Sequence, residues 1–538
     1  MIEGSALTNQ GFRPGSLGAD LQGAIERLKE SRSLNGDRVG LSLGDRSLDI
    51  YPRSIVDLGR AMLFMGHGTP GRRLYVLAPL DDPIAARLEG TCLKWAADGQ
   101  DQIRRCRLTH TNAKVIRDLL DWTRPRPLGL ANSFGLGDRL GVAGPAHLRA
   151  LRSSGFEVVL AQQSIRELER TERSPDEVMD AALWAVLQEG WRSGFGADAD
   201  HLKTPADVNR MAAAGFTMFT IDPGDHVVDA ADHMDATQLE TAMTRQPWAD
   251  LQTSVGEAVG RYNDSTIDIG PELTLNPDRG QVLRAWVKYG AALAHTAMMY
   301  RSIATTMGDR PFEVEVSVDE TASVTTPFEH WLVASELQRL GISWVGLAPR
   351  FVGEFEKGID YRGDLEVFRR EYAKHLAIAD ARGPYKISIH SGSDKFGVYR
   401  EIGLMGRGSV HVKTAGTSYL EALRAVATCD PALFREILDF SRSIYENERR
   451  TYHVSAELHR VPLAARLDDE GLVGLLDDED ARQVLHVTFG RVLTDRTRGG
   501  RRLFKDRIMS CLRRNEETHD RFVEAHFRRH LEPFEGTS

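Results

Sequence analysis

Cysteine is scarce in this chain. Four occur in 538 residues, Cys92, Cys106, Cys429 and Cys511, and none forms a C-x-x-C pair. Such scatter argues against a zinc–thiolate site and against a disulfide framework, and it fits the reduced thiols of a cytoplasmic protein. Long apolar runs are missing too: none approaches the roughly 18 residues a membrane helix needs. The N-terminus, MIEGSALTNQGF, lacks a basic start followed by an apolar stretch, so it does not read as a secretory signal. Net charge is −9 and no Lys/Arg block is flanked by aromatics, so neither nucleic acid nor a membrane is expected as a partner.

Several catalytic motifs are also missing. Gly135-Leu136-Gly137 follows an apolar run, but Leu140 stands where G-x-G-x-x-G needs its third glycine. The nicotinamide fingerprint is therefore absent and no nicotinamide is expected. The segment from Gly66 to Arg73 has P-loop glycine spacing without the Lys-Ser/Thr pair, which leaves a glycine-rich turn. There is no H-E-x-x-H and no G-x-S-x-G.

What is present is a repeated unit between about residues 125 and 450, in which a short apolar run ends in polar residues and a helix-like stretch follows. The runs are LGLANS (128–133), FEVVLAQQ (156–163), GFGADADH (194–201), FTMFTID (216–222), FEVEVSVDE (312–320), WVGLAP (344–349), YKISIH (385–390) and SVHVKTAG (409–416). Eight strands alternating with helices predict a (β/α)8 TIM barrel, with an open doubly wound sheet as the alternative. Thr204-Pro205 and Thr326-Pro327 place an N-cap hydroxyl before a proline, with Asp207 and Glu329 three residues after the caps. Gly215 and Gly341 stand where left-handed C-caps are needed, and Ser418 with Glu421 has capping-box spacing. Residues 223–311 exceed one crossover helix and are expected to form an inserted, largely helical lid or interface element. Residues 1–124 read as a small α+β domain, with strands at RVGLSLG, RSLDIYP and RRLYVLAP and a Gly44-Asp45 turn; residues 451–538 read as a helical C-terminal extension.

The barrel strands carry polar residues where parallel strands normally read as continuous Val/Ile/Leu. Glu313, Glu315, Ser317 and Asp319 alternate with Val314, Val316 and Val318; Lys386, Ser388 and His390 with Ile387 and Ile389; His411 and Lys413 with Val410 and Val412. The apolar set is needed beneath the helices, so the polar set points into the barrel. Charges there are costly unless they pair or bind something. Strand ends add Asp198, Asp200 and His201, then Ser391, Ser393 and Lys395, at the end where barrel enzymes place their sites. A mix of Asp, Glu and His without Cys suits one divalent cation such as Zn, Mn, Ni, Co or Mg, with His201, Asp319 and His390 as the expected ligands.

The chain also resembles a known family. GLGDRLG (135–141), GADADHLK (196–203), SVDET (317–321), LAPRFVGEFEKGIDYRGDL (347–365), YKISIHSGSDKFGVY (385–399), HVKTAGTSYLEALR (411–424) and RQVLHVTFGRVL (482–493) are similar to the tagaturonate epimerases, or hexuronate C4-epimerases. The resemblance implies a bacterial cytosolic isomerase that interconverts D-tagaturonate and D-fructuronate in pectin catabolism and uses a divalent metal. Activity on the neutral ketohexoses tagatose and fructose is compatible with the same motifs.

These two sugar acids differ at the hydroxyl-bearing carbon β to the ketone, whose C–H the carbonyl does not acidify. With no nicotinamide fingerprint, the favoured route is aldol cleavage, rotation of the aldehyde and re-addition, with the metal as Lewis acid. Asp138, Asp200 and Glu315 are the expected proton-handling carboxylates. Arg350, Lys395 and Lys413 are expected to hold the substrate carboxylate, and Ser133, Ser391 and Ser393 to hydrogen-bond the sugar. The sugar is the expected partner, a homo-oligomer being compatible. The rivals are a metal-dependent aldolase acting on a keto-sugar acid and a sugar-binding regulatory protein.

Overall fold

The computed structural model describes residues 19–31, 38–43, 46–68, 71–94, 100–271 and 273–535. The expected Gly44-Asp45 turn lies outside them, as do Thr69 and Pro70 of the glycine-rich turn. The chain divides into two compact units, Met1–Arg124 with Asp180–Gly194, and Pro125–Met179 with Phe195–Ser538. Among the described residues no helix is long and apolar enough to cross a membrane.

The first unit is a six-stranded antiparallel sheet of Val39–Leu43, Arg46–Asp57, Met62–His67, Arg73–Pro79, Asp101–Cys106 and Gly90–Lys94, in that spatial order. Period-two alternation gives the sheet two apolar faces. Ile50, Met62, Phe64, Tyr75 and Leu77 meet Ala24, Ile25 and Leu28 of the helix Ala19–Ser31. Tyr51, Leu63, Met65, Leu74 and Val76 on the other side share a core with Ala113, Ile116, Leu183 and Leu187.

The second unit holds a closed eight-stranded parallel barrel. Its strands, first to eighth, are Ser133–Gly135, Glu157–Ser164, Gly196–Leu202, Met218–Ile221, Glu313–Val318, Gly346–Pro349, Lys386–Ile389 and Val410–Lys413. Each pairs with its successor, and the eighth closes onto the first through His411 opposite Ser133 and Lys413 opposite Gly135. The first strand begins later than the expected 128–133. Gly129 takes a φ of +63° and donates its N–H to the Glu313 carboxylate, so 128–132 turns before entering the sheet. Glycine at the inward first-strand position 135 leaves room for the Gln162 amide, which would otherwise stand 2.6 Å from a Cβ there.

The helix starts follow the local sequence. Thr204 with Asp207, and Thr326 with Glu329, form complete capping boxes, and Gly215 and Gly341 take positive φ just past the two helices. Ser418 and Glu421 do not form a box. Gly416 caps Thr417–Cys429, Ser418 donates to the Gly137 carbonyl, and Glu421 pairs with Arg424. Residues 223–311 are only partly an insertion. The 29-residue helix Arg279–Met307 packs on the fourth strand and on the helices Pro205–Ala213 and Pro327–Arg339, which makes it the barrel's own crossover helix. The extra material is 223–278, which contains the short helices Ala236–Met243 and Val255–Gly260. The C-terminal helices share one core with the helix after the eighth strand, through Leu420, Leu423, Phe434, Val484, Phe489, Val492 and Ile508.

Candidate active site

The inward polar side chains fall into layers. Deepest are Ser133, Lys386 and His411: Ser133 Oγ lies 2.9 Å from His411 Nδ1 and accepts from Lys386 Nζ at 3.3 Å. Above them Lys413 Nζ reaches Asp198 Oδ2 at 2.9 Å, Asp200 Oδ1 at 2.7 Å, Glu315 Oε1 at 2.8 Å and Thr220 Oγ1 at 2.7 Å. Burial alone would lower the lysine, but the three carboxylates hold it well above its ordinary value. Burial would raise Glu315 and Asp200. Lys413 and His390 pull Glu315 well below the carboxylate range, and His201 and Lys413 do the same for Asp200. Asp198 is the exception, pushed up to about 6 by burial.

At the mouth His201, Asp319 and His390 come together, each offering a ligand atom within 4.8 Å of the others. An extended strand would send Asp200 and His201 to opposite faces. Both line the same cavity because the third strand bulges there. Ala199 pairs with Phe219 and Leu202 with Ile221, leaving one residue extra, and His201 takes a φ of +52°. Ser391, after the seventh strand, turns at a φ of +50° and also lines the cavity.

The residues present fit a divalent cation. His201 Nδ1 lies 2.8 Å from Asp200 Oδ1, and His390 Nε2 lies 2.8 Å from Glu315 Oε1. Each carboxylate holds the far nitrogen, which directs His201 Nε2 and His390 Nδ1 toward Asp319 Oδ1 at 3.9 and 3.1 Å. His390 Nδ1 is buried and makes no hydrogen bond. A lone-pair nitrogen beside a carboxylate oxygen asks for a proton or a cation between them, and carboxylate-backed histidines are the usual support of metal ligands. A second cluster, Asp394, His526 and His530, does not fit. His530 Nε2 accepts the Asp394 N–H at 3.1 Å and its Nδ1 meets the His526 carbonyl at 3.0 Å, so neither nitrogen is left to ligate.

The cavity is lined by Asp200, His201, Asp319, His390, Ser391 and Lys413 of the expected residues. The others lie elsewhere. Asp138 accepts the backbone N–H groups of Leu140, Gly141 and Ala143 and fixes a turn, and Glu315 stands behind His390. Ser133 belongs to the deepest layer. Arg350 pairs with Glu354 at 3.5 Å, and Ser393 donates to the Ala415 carbonyl. Lys395 is fully buried and donates to the carbonyls of Glu356, Ile359 and Ser393, tying two loops together; burial pushes it down to about 8. Lys413 faces four protein oxygens with three N–H groups, so it has none left for a substrate carboxylate.

Sequence reasoning missed Arg139, Gln162, Lys357, Tyr452 and His486, all of which line the cavity. Arg139, Lys357 and His486 sit inside the segments GLGDRLG, FVGEFEKGIDY and RQVLHVTFGRVL, but off the strands, where alternation says nothing. Gln162 was legible: it points inward two residues before the end of the second strand, opposite Asp198.

The profile of the UxaE tagaturonate epimerase family matches residues 51–534. A relative from Thermotoga maritima named tagaturonate/fructuronate epimerase is 42% identical over 436 residues, covering 80% of this chain and 86% of its own. Two crystal structures of the fructuronate-tagaturonate epimerase UxaE from Cohnella laeviribosi are similar to this chain. The native structure has a TM-score of 0.84 at 36% identity, and a two-glycerol complex 0.85 at 35%; each covers 96% of this chain and 99% of its own. The fold, the site and these likenesses agree that the chain belongs to the tagaturonate epimerase family and is a carbohydrate epimerase.

Proposed function

We propose that this enzyme interconverts D-tagaturonate and D-fructuronate in the cytoplasm, breaking and remaking the bond between the carbons α and β to the ketone, with one divalent cation. The observation that carries the reading is the set of His201 Nε2, His390 Nδ1 and Asp319 Oδ1, turned toward one another by carboxylates on the far side of each ring. A cation held there would act as a Lewis acid toward the ketone oxygen, lowering the cost of the charge that gathers on it as the carbon–carbon bond breaks. Asp200 lines the cavity, and its bonds to His201 and Lys413 both end on Oδ1, which leaves Oδ2 for the β-hydroxyl of the sugar. Asp200 takes the hydroxyl proton as the aldehyde forms; the bond's electron pair moves to the keto fragment. The aldehyde then presents its other face, the bond reforms, and Asp200 returns the proton. Lys413 holds Asp200 in place. Gln162 is buried with both amide atoms unpartnered, so it supplies a donor and an acceptor to sugar hydroxyls.

The test incubates chelator-treated protein with tagaturonate and each divalent metal in turn, resolving the products. Epimerisation restored by a metal supports the proposal. Full activity in metal-free protein refutes the metal, and bulk release of three-carbon fragments would make the enzyme an aldolase.

A further inference from the structure

One wall of the cavity carries hydrogen-bond donors without acceptors. Arg139 is 4% exposed. Its Nε donates to Glu167 at 3.1 Å, its guanidinium carbon lies 3.6 Å above the centre of the Phe489 ring, and its Nη2 lies 3.3 Å from His486 Nε2. Its Nη1 is buried with no partner. Because arginine only donates, His486 Nε2 must accept, which puts the imidazole proton on Nδ1. That Nδ1 is also buried and unpartnered, in a residue that is 0% exposed. His486 is held neutral by its burial and by the positive charges of Arg139 and Lys357. Gly416 makes room for the pair: at a φ of +100°, a Cβ there would stand 2.3 Å from His486 Cε1 and 3.0 Å from Arg139 Nη2.

Lys357 adds a third donor. Its Nζ donates to Ser391 Oγ at 2.6 Å, and burial together with neighbouring Arg166 lowers it from its ordinary value. Arg166 lies on the same lining, 3.7 Å from Glu320. Three cations that line the cavity, Arg139, Arg166 and Lys357, thus lie near one another, with Glu167 and Glu320 as their carboxylate partners. A buried donor without an acceptor costs about 1–3 kcal/mol, and an anion that brings oxygens to it removes that cost. Charge and planar geometry together select a carboxylate.

We infer that Arg139, His486 and Lys357 form the subsite that reads the carboxylate of the sugar acid, in the cavity that His201, Asp319 and His390 also line, and so set the preference for hexuronates over neutral sugars. The reading rests on the function proposed above, but its binding step is separable from catalysis. Ser391, which accepts from Lys357, lines the same cavity next to His390. Arg350, Lys395 and Lys413 have no part in the subsite.

The experiment compares wild-type protein with Lys357→Met, which removes the ammonium and keeps the stem, and with Arg139→Lys. Two readouts are used: binding of glucuronate against glucose by calorimetry, and KM and kcat on tagaturonate against tagatose. Glucuronate binding and tagaturonate KM should weaken about 10–100-fold in each variant, the scale of one hydrogen bond to a charged group. Parameters for the neutral sugars and kcat should change less than threefold. Equal losses on acid and neutral sugar, or wild-type protein binding glucuronate no better than glucose, would overturn the subsite. A Lys357-dependent preference for glucuronate in a protein that leaves tagaturonate unchanged would uphold the subsite and refute the proposed reaction. Lys357 is half-buried, so Lys357→Met keeps the test valid should Arg139→Lys fail to fold.

Discussion

Glu315 stands directly behind His390, its Oε1 2.8 Å from the imidazole Nε2, with its side chain wholly inside the barrel. Ser388 and Lys413 hold the same carboxylate, so the ring is oriented by a network spanning the fifth, seventh and eighth strands. A glutamate at the centre of a barrel strand is here bonded to a neighbouring histidine.

Glu315→Gln should therefore weaken metal binding about 10–100-fold, the usual cost of removing a carboxylate behind a ligating histidine. Competition against a calibrated chelator measures it. An unchanged metal affinity with turnover abolished would instead make Glu315 the proton acceptor.

Asp200→Asn keeps the shape of the side chain and removes its basicity. The proposed role predicts a loss in kcat of about 10²–10⁴-fold, the range for a positioned general base. Binding of a hexuronate should fall far less. A kcat within threefold of wild type at saturating metal would exclude Asp200 from proton transfer.

Cleavage and re-addition leave the original hydrogen on the inverted carbon. Product formed in D₂O should carry no deuterium there, as read by NMR or mass spectrometry. Stoichiometric deuterium at that carbon would mean direct deprotonation and would rule out the proposed bond cleavage.

Stability should fall as the solution is acidified below about pH 6.5. Burial lowers His147 and His375 to about 4 and His411 and His530 to about 3, and it holds His330 and His486 well below their ordinary value. The unfolded chain takes up these protons near pH 6.5, whereas the folded chain refuses them until about pH 4 or lower. The stabilisation is thus present above pH 6.5 and lost as pH falls toward 4, at about 1.4 kcal/mol per unit for each histidine. Asp198, raised to about 6, offsets one proton in the opposite sense. Thermal midpoints measured from pH 7 to 4.5 should drop steeply, and His147→Gln should flatten the slope. A flat profile would show that these histidines are not neutral in the fold.

Much of the architecture was legible because its causes are local. Alternation along FEVEVSVDE required Glu315 to face inward, and Thr326-Pro327 with Glu329 required a helix to start there. The first strand was misplaced because the apolar pair Leu128 and Leu130 reads like a strand, while the turn at Gly129 is set by Glu313, 184 residues away. Asp138 sits in a conspicuous motif but spends its carboxylate on the turn that follows it, and Lys395 binds carbonyls of a loop whose path its own sequence does not specify.

The sequence by itself determined the eight-stranded barrel, the inward polar faces and the His201, Asp319 and His390 cluster. Strand periodicity and strand ends are properties of a few neighbouring residues, and a barrel brings strand ends to one place. Only the tertiary structure decided which charges share the cavity and which merely tie loops. It bulges the third strand so that Asp200 and His201 face the same way. It also brings His486 to Arg139 across 347 residues of sequence, because the C-terminal helices must bury Val484, Leu485 and Phe489 against the barrel's last helix. No periodicity encodes such a pairing; it follows from which apolar faces remain to be covered once the barrel has closed.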